Sequence, residues 1–347
     1  WSEWLAPTPH TCNDGPVQTR METPIAVSVV MLTRQAGGYD GGGRTNLADT
    51  TLERILAQRG SELALVIGNG INRYANASTT NSWDQLLLKI ARDCAPRISR
   101  VPPGTTLTEF YDVLELRSRA RVGDLQAGFC EEMADWRPYP HHRAIMNWAK
   151  SHDCPVLTTN FDEVLSKAAL TSFHRPANPK FTSFYPWECY FGHDPVADPC
   201  ETFAIWHVNG MARYKLSIRL GLTHYMGSVQ RARGWLHRTG EENLFKAKNK
   251  RDWRGAGTWM HVAFNRPLLI FGLALEENEV FLRWLLIERA KYFRKFAHRR
   301  HDAWFVYVDD PNDERQAGKL FFLEEIGIKP VRAASYDEIY ANAHWGM

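Results

Sequence analysis

Four short segments place amides, carboxyls and an imidazole next to glycine turns. Ile67-Gly68-Asn69-Gly70-Ile71-Asn72-Arg73 follows a compact apolar run. A glycine turn there lets the backbone approach a ligand's phosphates, whose charge the following amides and helix N-terminus offset. The spacing is shorter than the full G-x-G-x-x-G fingerprint, and G-x-G also occurs in plain strand-to-helix turns. Thr158-Thr159-Asn160-Phe161-Asp162 closes a second apolar run. Asn160 at a strand tip can hold a water or a ribose hydroxyl by donating and accepting together, whereas Asp162 also fits a helix cap.

The third segment is Trp206-His207-Val208-Asn209-Gly210. In a strand, residues two apart share a face, so His207 and Asn209 are expected to project together, with room left beside them by Gly210. A buried histidine satisfied by a neighbouring carbonyl is the competing reading. The fourth, Ile270-Phe271-Gly272-Leu273-Ala274-Leu275-Glu276-Glu277-Asn278, is again a strand, a glycine turn and a helix start. Single turns of this kind are common; four after four strands converge on one sheet edge.

The elements that must position these groups are legible as apolar runs at Glu62–Ile67, Pro155–Thr159, Phe203–Val208, Pro267–Phe271 and Ala303–Val308. Short hydrophobic strands without polar alternation, separated by amphipathic segments, are what a parallel sheet covered on both faces requires. The expectation is an α/β fold with a doubly wound, mostly parallel, Rossmann-like sheet. Residues 1–45, rich in Pro, Gly and Thr and ending in Gly41-Gly42-Gly43, read as an N-terminal extension. From Asn46 the pattern turns helical through Leu47, Leu52, Ile55 and Leu56, and the domain is expected to run over 46–347. Between about 76 and 151 helices dominate, with Ser82 as an N-cap, so this stretch reads as a helical insertion. A further helix over about Glu277–Phe296 ends in Lys291, Arg294 and Lys295, cations that suit the helix dipole.

The net charge of +3 over 347 residues does not announce a nucleic-acid partner, and no apolar run reaches the roughly 20 residues that span a bilayer. The cysteines, Cys12, Cys94, Cys130, Cys154, Cys189 and Cys200, form no C-x-x-C pair, so neither a disulfide framework nor a zinc ribbon is expected. They read as reduced, mostly buried thiols in a cytoplasmic protein, with no metal ligand set and no membrane contact.

With these segments in view, the sequence resembles the sirtuin-like superfamily, closest to its bacterial SIR2-like branch, through G-N-G-I-N (Gly68–Asn72), T-T-N-F-D (Thr158–Asp162), W-H-V-N-G (Trp206–Gly210) and G-L-A-L-E-E-N (Gly272–Asn278). The resemblance covers about residues 60–345. It implies a sirtuin-like fold in which Gly68, Asn69, Gly70, Ile71 and Asn72, with Thr159, Gly272 and Leu273, border NAD+. It further implies that Asn160 lies by the nicotinamide ribose and positions water while Asp162 supports the loop. The two cysteine pairs that hold the deacylase zinc lobe are missing, so the resemblance implies NAD+ glycohydrolysis, releasing nicotinamide and ADP-ribose, in bacterial anti-phage defence. The family's catalytic histidine stands where this sequence has Asn209; His207, two residues earlier, is then the expected general base. Besides NAD+, a homo-oligomer and a companion defence protein are the expected partners.

A second reading is a nucleotide sensor or partner-binding module that turns NAD+ or ADP-ribose over weakly, which the Asn209 departure favours. Arg219–Met226 would then be an interface or lid, although Leu220, Leu222 and Tyr225 also fit a core. A nucleic-acid enzyme would rest on Lys246, Lys248, Lys250, Arg251 and Arg254, but no carboxylate cluster for metal-dependent phosphoryl chemistry accompanies them.

Overall fold

The computed structural model describes residues 51–74, 82–118, 123–175, 186–238, 240–276, 279–341 and 343–346. The expected extension 1–45, Leu47 of the first helix, and Glu277 and Asn278 lie outside them. The described residues belong to a unit spanning Ala48–Met347.

The apolar runs become strands: β1 (Ala64–Ile67), β2 (Val156–Thr158), β3 (Ser172–His174), β4 (Tyr190–Gly192), β5 (Ile205–His207), β6 (Leu268–Phe271), β7 (Ala303–Val308) and β8 (Lys329–Ala333). They form one eight-stranded sheet in the order β3-β4-β5-β2-β1-β6-β7-β8. Across β5-β2-β1-β6-β7-β8 every pairing is parallel; near the other edge β4 runs antiparallel to both its neighbours, β3 and β5. The chain leaves β1 for β2, crosses to the edge at β3, comes back through β4 to β5, and then lays β6 on β1's other side. The strand order reverses there, at the point where open α/β sheets open a crevice beyond their carboxyl ends.

Strand alternation divides the core. Ala64, Val66, Leu157, Trp206, Leu268, Ile270 and Phe305 face one apolar cluster, and Leu65, Ile67, Val156, Ile205, Leu269, Phe271 and Trp304 face the other. Both faces are therefore covered, which is why these runs lack polar alternation. Helices α1 (Leu52–Arg59), α2 (Gly70–Tyr74), α3 (Trp83–Cys94), α4 (Leu107–Arg117), α5 (Asp124–Glu132), α6 (Pro140–Ser151), α7 (Val164–Ala168), α8 (Leu222–His237), α9 (Trp259–Asn265), α10 (Val280–Lys295), α11 (Gln316–Glu325) and α12 (Tyr336–Tyr340) follow in chain order. The first core is closed by α8, α9, α10 and α11, the second by α1, α6, α7 and α12.

The stretch expected as an insertion over 76–151 divides in two. Helices α3, α4 and α5 build a separate core from Leu86, Leu87, Phe110, Tyr111, Leu114 and Phe129. By contrast, α6 sinks Ile145, Met146 and Ala149 into the sheet's second core. It is the crossover helix between β1 and β2, and the insertion proper ends before it. Ile218 and Leu220 join the insertion's core and Tyr225 is fully buried, so this part of Arg219–Met226 packs as interior, while Met226 stays exposed. No helix among the described residues is long and apolar enough to cross a membrane.

Candidate functional site

At the switch point the turns after β1 and β6 press directly on each other. The Gly70 amide donates to the Gly272 carbonyl at 2.8 Å and the Gly68 amide to the Phe271 carbonyl at 3.1 Å. A Cβ on Gly70 would lie 2.7 Å from the Tyr340 hydroxyl, and one on Gly68 would meet the Gly272 carbonyl and the Leu273 side chain. Gly272 has φ +69°, in the left-handed region. These glycines answer first to turn-on-turn packing.

The Thr158 hydroxyl donates to the Ile67 carbonyl (2.9 Å) and accepts the Asn160 amide (3.1 Å), which turns the chain at the end of β2. Asn160 is buried; its Nδ2 reaches the Gly68 carbonyl at 3.5 Å and its Oδ1 has no partner. Asp162 is buried with both oxygens engaged, Oδ1 by the Val164 amide and Oδ2 by Asn72 Nδ2, each at 2.9 Å. Burial pushes its carboxyl upward, and these two bonds oppose the shift. Asp162 therefore ties the loop to α7 and to the β1 turn.

Behind Asp162 lies a directional polar chain. Asn72 Nδ2 also donates to Asn69 Oδ1 (2.9 Å), and Asn72 Oδ1 faces His142 Nε2 (3.0 Å). Since the Tyr139 amide donates to His142 Nδ1 (3.1 Å), the ring's proton sits on Nε2 and is given to Asn72. Burial, reinforced by His141 and Arg143, pushes His142 down to about 3, so the ring is neutral. Next to it, the His141 Nε2 and the Ile71 carbonyl lie 2.8 Å apart. Asn72 and Ile71 thus hold the turn from behind; His141 and His142 had no motif to mark them in the sequence, only two adjacent histidines following Pro140.

The expectation that His207 and Asn209 share a face fails, for a local reason. His207 is the last residue of β5; Val208 and Asn209 already belong to a turn, so strand alternation no longer applies. His207 is fully buried, with Nδ1 2.7 Å from the Asn160 carbonyl and its ring edge-on to Phe191. Desolvation lowers its pKa. A neutral ring donating from Nδ1 leaves Nε2 as an acceptor without a partner. His207 is absent from the cleft wall, whereas Asn209 lines it.

That cleft, about 1080 Å³, runs across the carboxyl ends of β2, β1, β6 and β7. Asn69, Gly70, Thr159, Asn160, Asp162, Asn209, Gly272 and Leu273 all line it; Gly68, Ile71, Asn72 and His207 do not. One wall is apolar and comes from the insertion through Trp83, Phe129 and Met133. Phe161, between Asn160 and Asp162, stacks edge-on with Trp83 (6.3 Å) and Phe129 (5.8 Å), fastening that wall to the strand tip. The opposite end carries Tyr307, Asp310, Lys319 and Tyr336, and Arg73 is a cation beside the glycine turn.

The residue that sequence reasoning missed is Glu279. It lines the cleft just before α10, its carboxyl is hydrogen-bonded by Asn209, and its Oε2 is buried without a partner. Because Asn209 Oδ1 is also unpartnered, the bond comes from the Asn209 Nδ2. Desolvation, against that bond and with some help from Glu276, pushes Glu279 up to about 7. A carboxyl so poised changes protonation state near neutral pH. In sequence it was one of three acids ahead of an apolar helix and resembled ordinary N-terminal helix charge.

No protein-family model matches the chain, and no curated protein matches it at a significant level.

Proposed function

We propose that this cleft binds NAD+ and hydrolyses its nicotinamide–ribose bond, in a fold of the sirtuin-like class without a deacylase zinc lobe. The observation that carries the reading is the meeting, at the switch point, of three unpartnered polar atoms: Asn160 Oδ1, Asn209 Oδ1 and Glu279 Oε2. Buried polar atoms in a folded protein are rarely left unmatched, so a ligand with hydroxyls or an ordered water is their natural partner. The cleft's volume, at the upper limit of about 300–1,000 Å³ for small-molecule sites, suits a dinucleotide. The apolar wall of Trp83, Phe129 and Met133 suits a planar base, and Arg73 a diphosphate.

In this reading the C–N bond to nicotinamide breaks with its electron pair going to the ring nitrogen, and water adds to the ribose carbon. The Asn160 amide orients that water; the Glu279 carboxylate takes its proton; Asn209 holds Glu279 in place. His207, donating to the Asn160 carbonyl, fixes the loop and is a positioning residue. The order of roles thus departs from the histidine base expected from sequence. A cytoplasmic homo-oligomer acting with a companion protein in defence belongs to the same proposal.

Asn209 in place of the family's histidine, together with the withdrawal of His207 from the wall, favours the second reading, nucleotide binding without efficient turnover. The test is NAD+ incubation of wild type, Asn160→Ala and Glu279→Gln, with nicotinamide release and calorimetric binding followed separately. Release by wild type, lost about 10²-fold or more in both variants while NAD+ still binds, supports hydrolysis. Binding without release in every protein supports the sensor; neither binding nor release overturns the NAD+ assignment.

A further inference from the structure

At the opposite, amino-terminal edge of the sheet lies a second recess of about 510 Å³, among the segments that lead into β1, β5, β6 and β7. An Asp198 carboxylate oxygen, Cys200 Sγ and a ring nitrogen of His261 lie there within 4.8 Å of one another, a grouping with the look of a metal site. The histidine's tautomer argues against it. Trp253 Nε1 is 3.0 Å from His261 Nδ1, and an indole nitrogen can only donate, so Nδ1 holds the lone pair and Nε2 the proton. Metal-bound histidines show the reverse arrangement, donating from the nitrogen away from the metal. His261 Nε2 is therefore a donor on the recess wall, 4.0 Å from Asp198 Oδ1, and the residue is 2% exposed.

Accounting for the remaining groups gives the recess its character. Its carboxylates are occupied: Asp198 and Glu201 by Arg251, Glu62 and Asp302 by Arg59, and Asp302 again by Lys329 at 2.9 Å. Its other donors are not matched in this way. Arg266 gives Nη2 to the Ser61 and Leu63 carbonyls, leaving its charge without a counter-ion and its Nε buried without a partner. Lys250 and Arg300 are exposed at the rim and pair with no carboxylate among the described residues. The field of these cations is felt by the histidines. His261 and His301 are both pushed down to about 4, first by burial; Asp198 opposes the shift at His261 while Lys250 and Arg251 add to it, and at His301 Arg289, Lys250 and Arg266 add to it against Asp302.

We propose that this recess is a second ligand site, built for a phosphate-bearing small molecule whose oxygens accept from His261 Nε2, Arg266 Nε, Lys250 and Arg300. It is separate from the carboxyl-edge cleft and does not depend on that cleft's chemistry. The test is calorimetry and thermal unfolding of the full chain with inorganic pyrophosphate, ADP and Zn²⁺. The double variant Lys250→Glu/Arg300→Glu, both positions exposed at the rim, is compared with wild type. Expected is a pyrophosphate- or ADP-dependent rise in unfolding midpoint that weakens at least tenfold in affinity in the double variant, while NAD+ binding at the carboxyl-edge cleft, measured alongside, is unchanged. ADP binding tenfold tighter than pyrophosphate at this site assigns a nucleotide; equal affinity assigns free phosphate. Binding that ignores the double substitution, no binding of either anion, or Zn²⁺ binding abolished by His261→Ala overturns the proposal.

Discussion

Replacing Glu279 by Gln should stabilise the protein in alkaline solution while stopping its chemistry. The carboxyl's ordinary value is 4.5 and burial lifts it to about 7. At about 1.36 kcal/mol per pH unit, ionising it in the fold costs up to about 3 kcal/mol relative to the unfolded chain. The residue keeps some accessible surface, so water screens part of this, and about 2 kcal/mol is the working figure. Because the folded value is raised, the favourable contribution is fully present below pH 4.5 and disappears as pH rises through 7. Urea unfolding at pH 5 and pH 8 measures it: Glu279→Gln gains about 2 kcal/mol on wild type between the two pH values. The rate is expected to follow the ionised fraction, rising about tenfold from pH 6 to pH 8 in wild type and staying low and flat in the variant. An equal stability difference at both pH values would refute the argument, since the carboxyl would then not be held neutral by the fold.

Other perturbations follow from the same geometry. His207→Ala removes the bond to the Asn160 carbonyl and should cost about 1–3 kcal/mol in denaturant unfolding. Nicotinamide release should fall without any change in the shape of its pH profile; a lost inflection would make His207 the base. Phe161→Ala, which empties the contact with Trp83 and Phe129, should cost about 3–5 kcal/mol by the same unfolding assay. Gly272→Ala forces a side chain to φ +69° with its Cβ 2.8 Å from the Tyr340 hydroxyl, and a loss of about 1–3 kcal/mol is expected in thermal unfolding. His142, held at about 3 against an ordinary 6.5, contributes stability that is complete above pH 6.5 and lost as pH falls toward 3. The unfolding midpoint should therefore drop across that window, and less steeply in His142→Gln.

The parallel sheet could be read because each central strand is an uninterrupted apolar run, and the turns could be read because glycine and asparagine follow those runs directly. Strands β3, β4 and β8 escaped. Ser172-Phe173-His174 and Lys329-Pro330-Val331-Arg332-Ala333 are partly polar edge segments, and Tyr190-Phe191-Gly192 is three residues long. Of the site, Asn160 and Asn209 both stand on the cleft wall, each just past the end of a strand. His207 could not be placed, because its direction depends on where β5 stops, one residue before the turn. Glu279 was invisible for a different reason: its character comes from burial and from Asn209, 70 positions earlier in the chain, and neither is a property of its neighbours in sequence.

The central strand also sets the order in which the protein can be made. One neighbour of β1 arrives with the Thr158–Ile67 contact, 91 residues on, and the other with the Leu63–Arg266 contact, 203 residues on. Long-range parallel pairing carries a large loop-closure cost and is slow to form. During synthesis the β1 turn, Asn160 and the insertion wall can assemble first, but the floor supplied by Gly272 and Glu279, and then the end carrying Tyr307 and Tyr336, come later. A nascent or truncated chain therefore holds no complete cleft.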